Sequence, residues 1–123
     1  MRVKYLPALV ALGLSASLLP AANIAWVSFH SADDTPSANA TNAGYTNGAP
    51  DKGYTALLTA NGHNVTRFPS VDLDAATYPD LIAAFNTNDL IIVSRSVGSG
   101  QYELANETAA WNGLTKPLIS LNG

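Results

Sequence analysis

The sequence predicts a three-layer α/β domain built on a parallel sheet, and three observations support this fold class. Residues 90–93 are four consecutive apolar residues between polar and glycine-rich stretches, a pattern typical of a strand covered on both faces. Segments with strand character alternate with helical segments along the chain, as in folds with right-handed crossovers. Polarity returns abruptly at residues 94–96, and ligands bind at that end of a strand in doubly wound sheets.

The first half of the chain predicts strand, helix, helix and strand. Residues 24–29 are mostly apolar and predict the first strand. A Thr-Pro pair predicts a short helix over residues 36–44, because Pro is favoured just after an N-cap. Residues 51–61 predict a longer helix that ends at Gly62. Its apolar face, at spacing i, i+3 and i+4, is expected to contain Tyr54, Leu57 and Leu58. Residues 64–68 predict a short strand that Pro69 stops.

The second half predicts helix, strand, helix and strand. Thr77 is expected to cap a helix that runs to Phe85. The third strand covers residues 89–94, and a helix is expected over residues 103–113. Residues 117–121 predict the fourth strand.

Composition limits the classes of partner. The chain has 123 residues, of which 47% are hydrophobic and 12% charged, and this size fits one small domain. It has no run of Arg or Lys, so we expect neither nucleic acid nor an anionic membrane surface as a partner. It has no cysteine, which excludes disulfides, thiolate metal sites and a cysteine nucleophile within these residues.

The N-terminus predicts export. Arg2 and Lys4 precede an apolar stretch and small residues, so residues 1–22 are predicted to be a signal peptide, with the mature chain starting between Ser17 and Ile24. The stretch is shorter than the roughly 20 residues of a spanning helix, so stable membrane insertion is not expected after cleavage. The domain over residues 23–123 would then carry 4 basic and 9 acidic residues and be secreted or held at the cell surface.

The predicted fold is expected to be incomplete at its C-terminus. A fourth strand in such a sheet is usually followed by a covering helix and a fifth strand. We therefore expect the chain to be the N-terminal part of a longer protein or a truncated gene product. The alternative is a minimal four-strand domain, or one that a partner chain completes.

Several stretches resemble a group of secreted bacterial proteins. They are residues 25–37 (AWVSFHSADDTPS), 51–55 (DKGYT), 89–96 (DLIIVSRS) and 107–113 (ETAAWNG). These proteins carry a flavodoxin-like domain, similar to the class I glutamine amidotransferase and trehalose-utilisation superfamily, at the front of longer extracellular chains. The resemblance implies a flavodoxin-like sheet of order 2-1-3-4 and no particular activity. The nucleophilic cysteine of the amidotransferases has no counterpart here, because the chain has no Cys and no Gly-x-Ser-x-Gly.

In that strand order, the first and third strands are neighbours, and their C-terminal ends form a crevice. A ligand site is therefore predicted from five residues, His30, Asp33, Asp34, Arg95 and Ser96. Two alternatives remain open: the aspartates cap the helix that starts near residue 36, or Arg95 forms an ion pair with Asp33, Asp34 or Glu103. The spacing matches no metal signature, so no metal, cofactor or catalytic residue is predicted.

For function, we expect a non-catalytic binding or supporting module whose ligand is a carbohydrate or another small polar molecule. Tyr45 and Tyr102, in predicted loops, are candidates for stacking on a sugar, whereas Tyr54 and Trp111 are expected in the core. The alternative is a hydrolase-like enzyme of the amidotransferase-like superfamily, with catalytic residues beyond Gly123.

Overall fold

The centre of the protein is one parallel sheet. The computed structural model describes residues 20–70 and 78–121. Its strands are β1 (Asn23–Ser28), β2 (Asn64–Pro69), β3 (Leu90–Val93) and β4 (Leu118–Ser120). They are hydrogen-bonded in the order β2-β1-β3-β4, and every neighbouring pair is parallel. The predicted α/β fold and its flavodoxin-like strand order are confirmed.

In the described part of the chain, four α-helices connect the strands: α1 (Ala38–Asn42), α2 (Lys52–Ala60), α3 (Tyr78–Phe85) and α4 (Ala105–Trp111). The start predicted for α1 was two residues early, because the Ser37 side chain caps the helix by accepting the Ala40 N–H. Gly62 follows α2 with φ +87°, as predicted for a residue just beyond a helix. No helix within residues 20–70 and 78–121 is long and apolar enough to cross a membrane.

Two predictions fall outside the described residues. Most of the predicted signal peptide lies in residues 1–19, and the predicted cap Thr77 lies in the segment 71–77.

Apolar side chains pack on both faces of the sheet, which gives the predicted three layers. On one face, Phe85 of α3 is fully buried, and its ring centroid lies 4.9 Å from that of Phe68 and 5.9 Å from that of Trp111. On the other face, Leu58 of α2 packs against the cluster that contains Trp26. The sheet is therefore held between α3 and α4 on one side and α2 on the other.

The face that α2 presents to the sheet differs from the prediction. Tyr54 and Leu57 are 54% and 62% exposed, whereas Thr55 is buried. The Thr55 hydroxyl donates a hydrogen bond to Asp33 Oδ1 at 2.7 Å, Leu58 packs against the core, and Tyr54 contacts it through Trp26 while remaining half-exposed. The buried face of α2 therefore includes a polar contact to the loop after β1, which the apolar spacing does not predict.

Candidate functional site

A cavity of about 430 Å³ opens beside the carboxyl ends of β1 and β3. The two ends are fixed side by side, because Val27 pairs with Val93 and the Ser94 N–H donates to the Val27 carbonyl at 2.8 Å. The residues around the cavity include His30, Tyr45, Asp51, Tyr54, Arg95 and Ser96. The cavity therefore lies where the strand order predicts a ligand site.

The buried carboxylate of Asp51, the residue before α2, joins the elements at this end of the sheet. Its Oδ2 atom accepts hydrogen bonds from Trp26 Nε1 at 3.0 Å, Ser28 Oγ at 2.6 Å and Ser94 Oγ at 2.9 Å. Its Oδ1 atom accepts a hydrogen bond from Arg67 Nη1 at 3.0 Å. One carboxylate thus connects β1, β2 and β3 to the start of α2.

These contacts determine the charge state of Asp51. Burial alone would raise the pKa of its carboxyl, but the hydrogen bonds from Ser28, Trp26 and Ser94, together with the charge of Arg67, lower that pKa below its ordinary value. The group is therefore ionised at neutral pH and is a weak proton acceptor.

Arg67 is the cation that balances this carboxylate. It lies on β2 opposite Trp26, and its side chain is only 9% exposed. Besides Asp51, its guanidinium pairs with Asp33 and donates to the His30 carbonyl at 3.2 Å. Arg67 therefore fixes the loop that follows β1 as well as the start of α2.

Three serine hydroxyls form a chain between the carboxylate and the cavity. Ser96 Oγ lies 3.0 Å from Ser28 Oγ and 3.1 Å from Ser94 Oγ, and it accepts the backbone N–H of Phe29 at 3.0 Å. Ser28 and Ser94 are buried, whereas Ser96 is half-buried at the cavity wall. Of the three hydroxyls, that of Ser96 lies farthest from Asp51 in this chain of contacts.

The imidazole of His30 also lines the cavity. The residue is 7% exposed, and Nδ1 is enclosed without a hydrogen-bond partner among the described residues. Its backbone is held on both sides, since the N–H donates to Ser28 Oγ at 3.1 Å and the carbonyl accepts from Arg67. The ring is thus a buried polar group whose position is fixed mainly through the main chain.

Three of the five predicted site residues, His30, Arg95 and Ser96, line the same cavity. The two aspartates do not. Asp33 pairs with Arg67 and accepts from Thr55, and Asp34 pairs with Lys52. Neither aspartate caps α1, because Ser37 does so.

The proposed ion pair of Arg95 is not formed. Arg95 is exposed and pairs with no acidic group within residues 20–70 and 78–121. Two of its suggested partners, Asp33 and Asp34, are instead paired with Arg67 and Lys52.

The aromatic residues at the cavity also differ from the prediction. Tyr54, expected in the core, lines the cavity and stacks over Trp26, with ring centroids 5.9 Å apart and planes inclined by 22°. Tyr45 is 52% exposed at the same cavity, as expected of a stacking residue. Tyr102 instead packs against Trp111, with centroids 5.4 Å apart, beside a second cavity near β4.

Sequence reasoning missed Asp51 and Arg67, on which the site is built. One signal was available: Arg67 is a single charged residue inside a segment predicted to be a strand. A charge at such a position requires a partner when the strand is covered, and partners for a guanidinium are carboxylates.

Comparison of the chain with protein-family models, with curated proteins and with solved structures gives no match. Within the described ranges, no group of three or more His, Asp or Glu side chains is placed to hold a metal ion.

Proposed function

We propose that the chain is an exported domain that binds a small polar ligand, a carbohydrate, in the cavity at the ends of β1 and β3, without reacting with it. The observation that carries this proposal is the combination of two exposed tyrosine rings with polar side chains around one cavity of about 430 Å³. Small-molecule sites have this make-up, with apolar area for contact and a few polar groups for orientation. Export is supported by the basic and then apolar pattern of residues 1–22.

A sugar fits the chemistry of this lining. Sugars present an apolar ring face together with hydroxyl groups, and an aromatic side chain offers the matching flat surface. Tyr54 is suited to this role because Trp26 supports it from beneath, while about half of its surface remains exposed.

The state of the polar groups favours binding over catalysis. A serine nucleophile needs a base that accepts its proton, and no ring nitrogen of His30 is hydrogen-bonded to a serine of the described chain. The carboxylate that does contact Ser28 and Ser94 has a lowered pKa and is already paired with Arg67. It holds the serines in place rather than activating them.

The test is a titration of the ¹⁵N-labelled full chain with neutral and acidic mono- and disaccharides at millimolar concentrations, followed by NMR. Backbone amides of His30, Asp51 and Ser96 should shift, whereas those of β4 should not. Tyr54→Ala should weaken binding at least about tenfold, since loss of an aromatic contact removes much of the apolar area that a sugar covers.

Leu57→Ala is the matched control, because Leu57 is exposed on the same helix and does not line the cavity. It should leave the affinity unchanged. The proposal is wrong if no saccharide shifts the cavity amides, or if turnover of a saccharide is detected.

A further inference from the structure

We propose that the cavity selects an acidic sugar, in which Arg95 binds the carboxylate. The inference rests on the proposed carbohydrate-binding function and names the class of sugar. It follows from two separate properties of the cavity wall: a guanidinium without an ion-pair partner in the described chain and two half-exposed tyrosine rings.

The charge comes from Arg95. Of the described residues around the cavity, two carry a formal charge, Asp51 and Arg95. Asp51 pairs with Arg67, with 3.0 Å between Oδ1 and Nη1, and Asp33 pairs with the same guanidinium. Arg95 has no ion-pair partner in the described part of the chain, so its guanidinium is available to a ligand.

A guanidinium prefers a particular ligand geometry. Its N–H groups form a planar fork that matches the two oxygens of a carboxylate, and such charge-assisted pairs are stronger than hydrogen bonds to neutral hydroxyls. A neutral sugar in this cavity would leave the charge of Arg95 without a counterion. A sugar that carries a carboxylate would supply one.

The serine hydroxyls at this wall are partnered within the protein. The Ser28 and Ser94 hydroxyls both donate to Asp51 Oδ2, at 2.6 Å and 2.9 Å. Ser96 Oγ lies 3.0 Å from Ser28 Oγ and 3.1 Å from Ser94 Oγ, and it accepts the Phe29 N–H at 3.0 Å. These hydroxyls therefore fix the wall of the cavity, and Arg95 is the polar group that remains for the ligand.

The tyrosines distinguish an acidic sugar from a simple anion. The half-exposed rings of Tyr45 and Tyr54 offer a surface for the apolar face of a sugar ring. The lining therefore fits a molecule that carries both a sugar ring and a carboxylate.

The buried ring of His30 is a second polar group at this wall. Its Nδ1 atom lacks a partner in the described chain, and unpartnered buried polar atoms are uncommon in folded proteins.

The experiment is isothermal titration calorimetry of the full chain with D-glucuronate, D-glucose and acetate. D-glucuronate carries both required groups, D-glucose lacks the carboxylate, and acetate lacks the hydroxyls and the ring. We expect D-glucuronate to bind about tenfold or more tightly than either of the other two, as one charge-assisted contact provides.

Variants assign the effect to residues. Arg95→Gln should lower the affinity for D-glucuronate about tenfold and leave that for D-glucose unchanged. Arg95→Lys should restore part of the loss. Lys116→Gln is the control, because Lys116 is also without an ion pair in the described residues but lies at the second cavity, beside β4.

Each contrary result has a distinct meaning. Equal affinity for D-glucose and D-glucuronate would overturn the acidic-sugar inference and leave the proposed function standing. Equal affinity for acetate and D-glucuronate would show a simple anion site and overturn the role of the tyrosine rings. If neither sugar binds, the proposed function itself fails.

Discussion

Replacing Asp51 by Asn tests whether the buried carboxylate holds the carboxyl end of the sheet together. Asparagine keeps the shape of the side chain and one oxygen. With that oxygen in the place of Oδ2, the hydrogen bonds from Trp26, Ser28 and Ser94 are retained. The new NH₂ group then faces Arg67 Nη1, which lies 3.0 Å from Oδ1 in the native protein, and two donors oppose each other.

The expected loss in the free energy of unfolding can be estimated from the burial of the Arg67–Asp51 ion pair. The side chains of Arg67 and Asp51 are 9% and 8% exposed, and removing one partner of a buried ion pair costs about 3–5 kcal/mol. Arg67 keeps Asp33, whose side chain is 41% exposed, as a weaker partner. We therefore expect the free energy of unfolding to fall by about 3 kcal/mol, the lower end of that range. A small domain has about 5–15 kcal/mol in total, so the midpoint of unfolding should shift clearly.

The assay is urea unfolding followed by tryptophan fluorescence, which Trp26 makes sensitive to this site because its indole donates to Asp51. The double variant Asp51→Asn/Arg67→Met removes the Arg67 charge together with the Asp51 carboxylate. It should therefore be less destabilised than the sum of the two single variants. A loss below about 1 kcal/mol for Asp51→Asn, the value of a surface pair, would refute the reasoning. So would strict additivity in the double variant.

Two further outcomes follow from acid titration and from the loop before α2. The folded-state pKa of Asp51 lies below its ordinary value of 3.8, so its ionised form contributes stability above that value, and this contribution is lost as pH falls through the folded-state pKa. The free energy of unfolding, measured from pH 7 to 2, should therefore decline below about pH 4. The decline should be smaller in Asp51→Asn, whereas the control variant at the exposed Asp34, Asp34→Asn, should keep it. Gly48→Ala should destabilise the protein by about 2 kcal/mol, because Gly48 has φ +117° and an added Cβ would collide with the Asp33 carbonyl oxygen. Gly53→Ala is the control, because the Cβ added there meets nothing within 4 Å, and it should be neutral or stabilising. Thermal melts of the two variants measure both effects.

The sheet could be predicted from the sequence because its signals are local. Residues 90–93 are apolar and enclosed by turn-forming residues, and the structure places β3 there with the last three of the four buried. His30, Arg95 and Ser96 were expected together because parallel strands end at the same edge, and they do line one cavity.

The pairing of charges could not be predicted, because it depends on contacts between residues far apart in the chain. Asp51 and Arg67 are 16 residues apart and meet only once β1 and β2 are aligned. The same alignment pairs Asp33 with Arg67, which is why that aspartate turns away from the cavity where the sequence placed it. The spacing of apolar residues also gave a wrong prediction for α2. Tyr54 fits an apolar helix face by its spacing, but it lies at the cavity.

The Asp51 carboxylate links the stability of the site to what the site can recognise. Buried ion pairs are often replaceable by apolar residues without loss of stability, so stability alone is a weak account of this pair. The carboxylate also accepts hydrogen bonds from Ser28 and Ser94, and both of those hydroxyls lie within hydrogen-bonding distance of Ser96 Oγ at the cavity wall. An apolar residue at position 51 would leave the two serines without this acceptor, and the position of Ser96 would no longer be fixed through them. We infer that the pair holds the serines at the ends of β1 and β3 in one arrangement, and with them the cavity wall that carries Arg95.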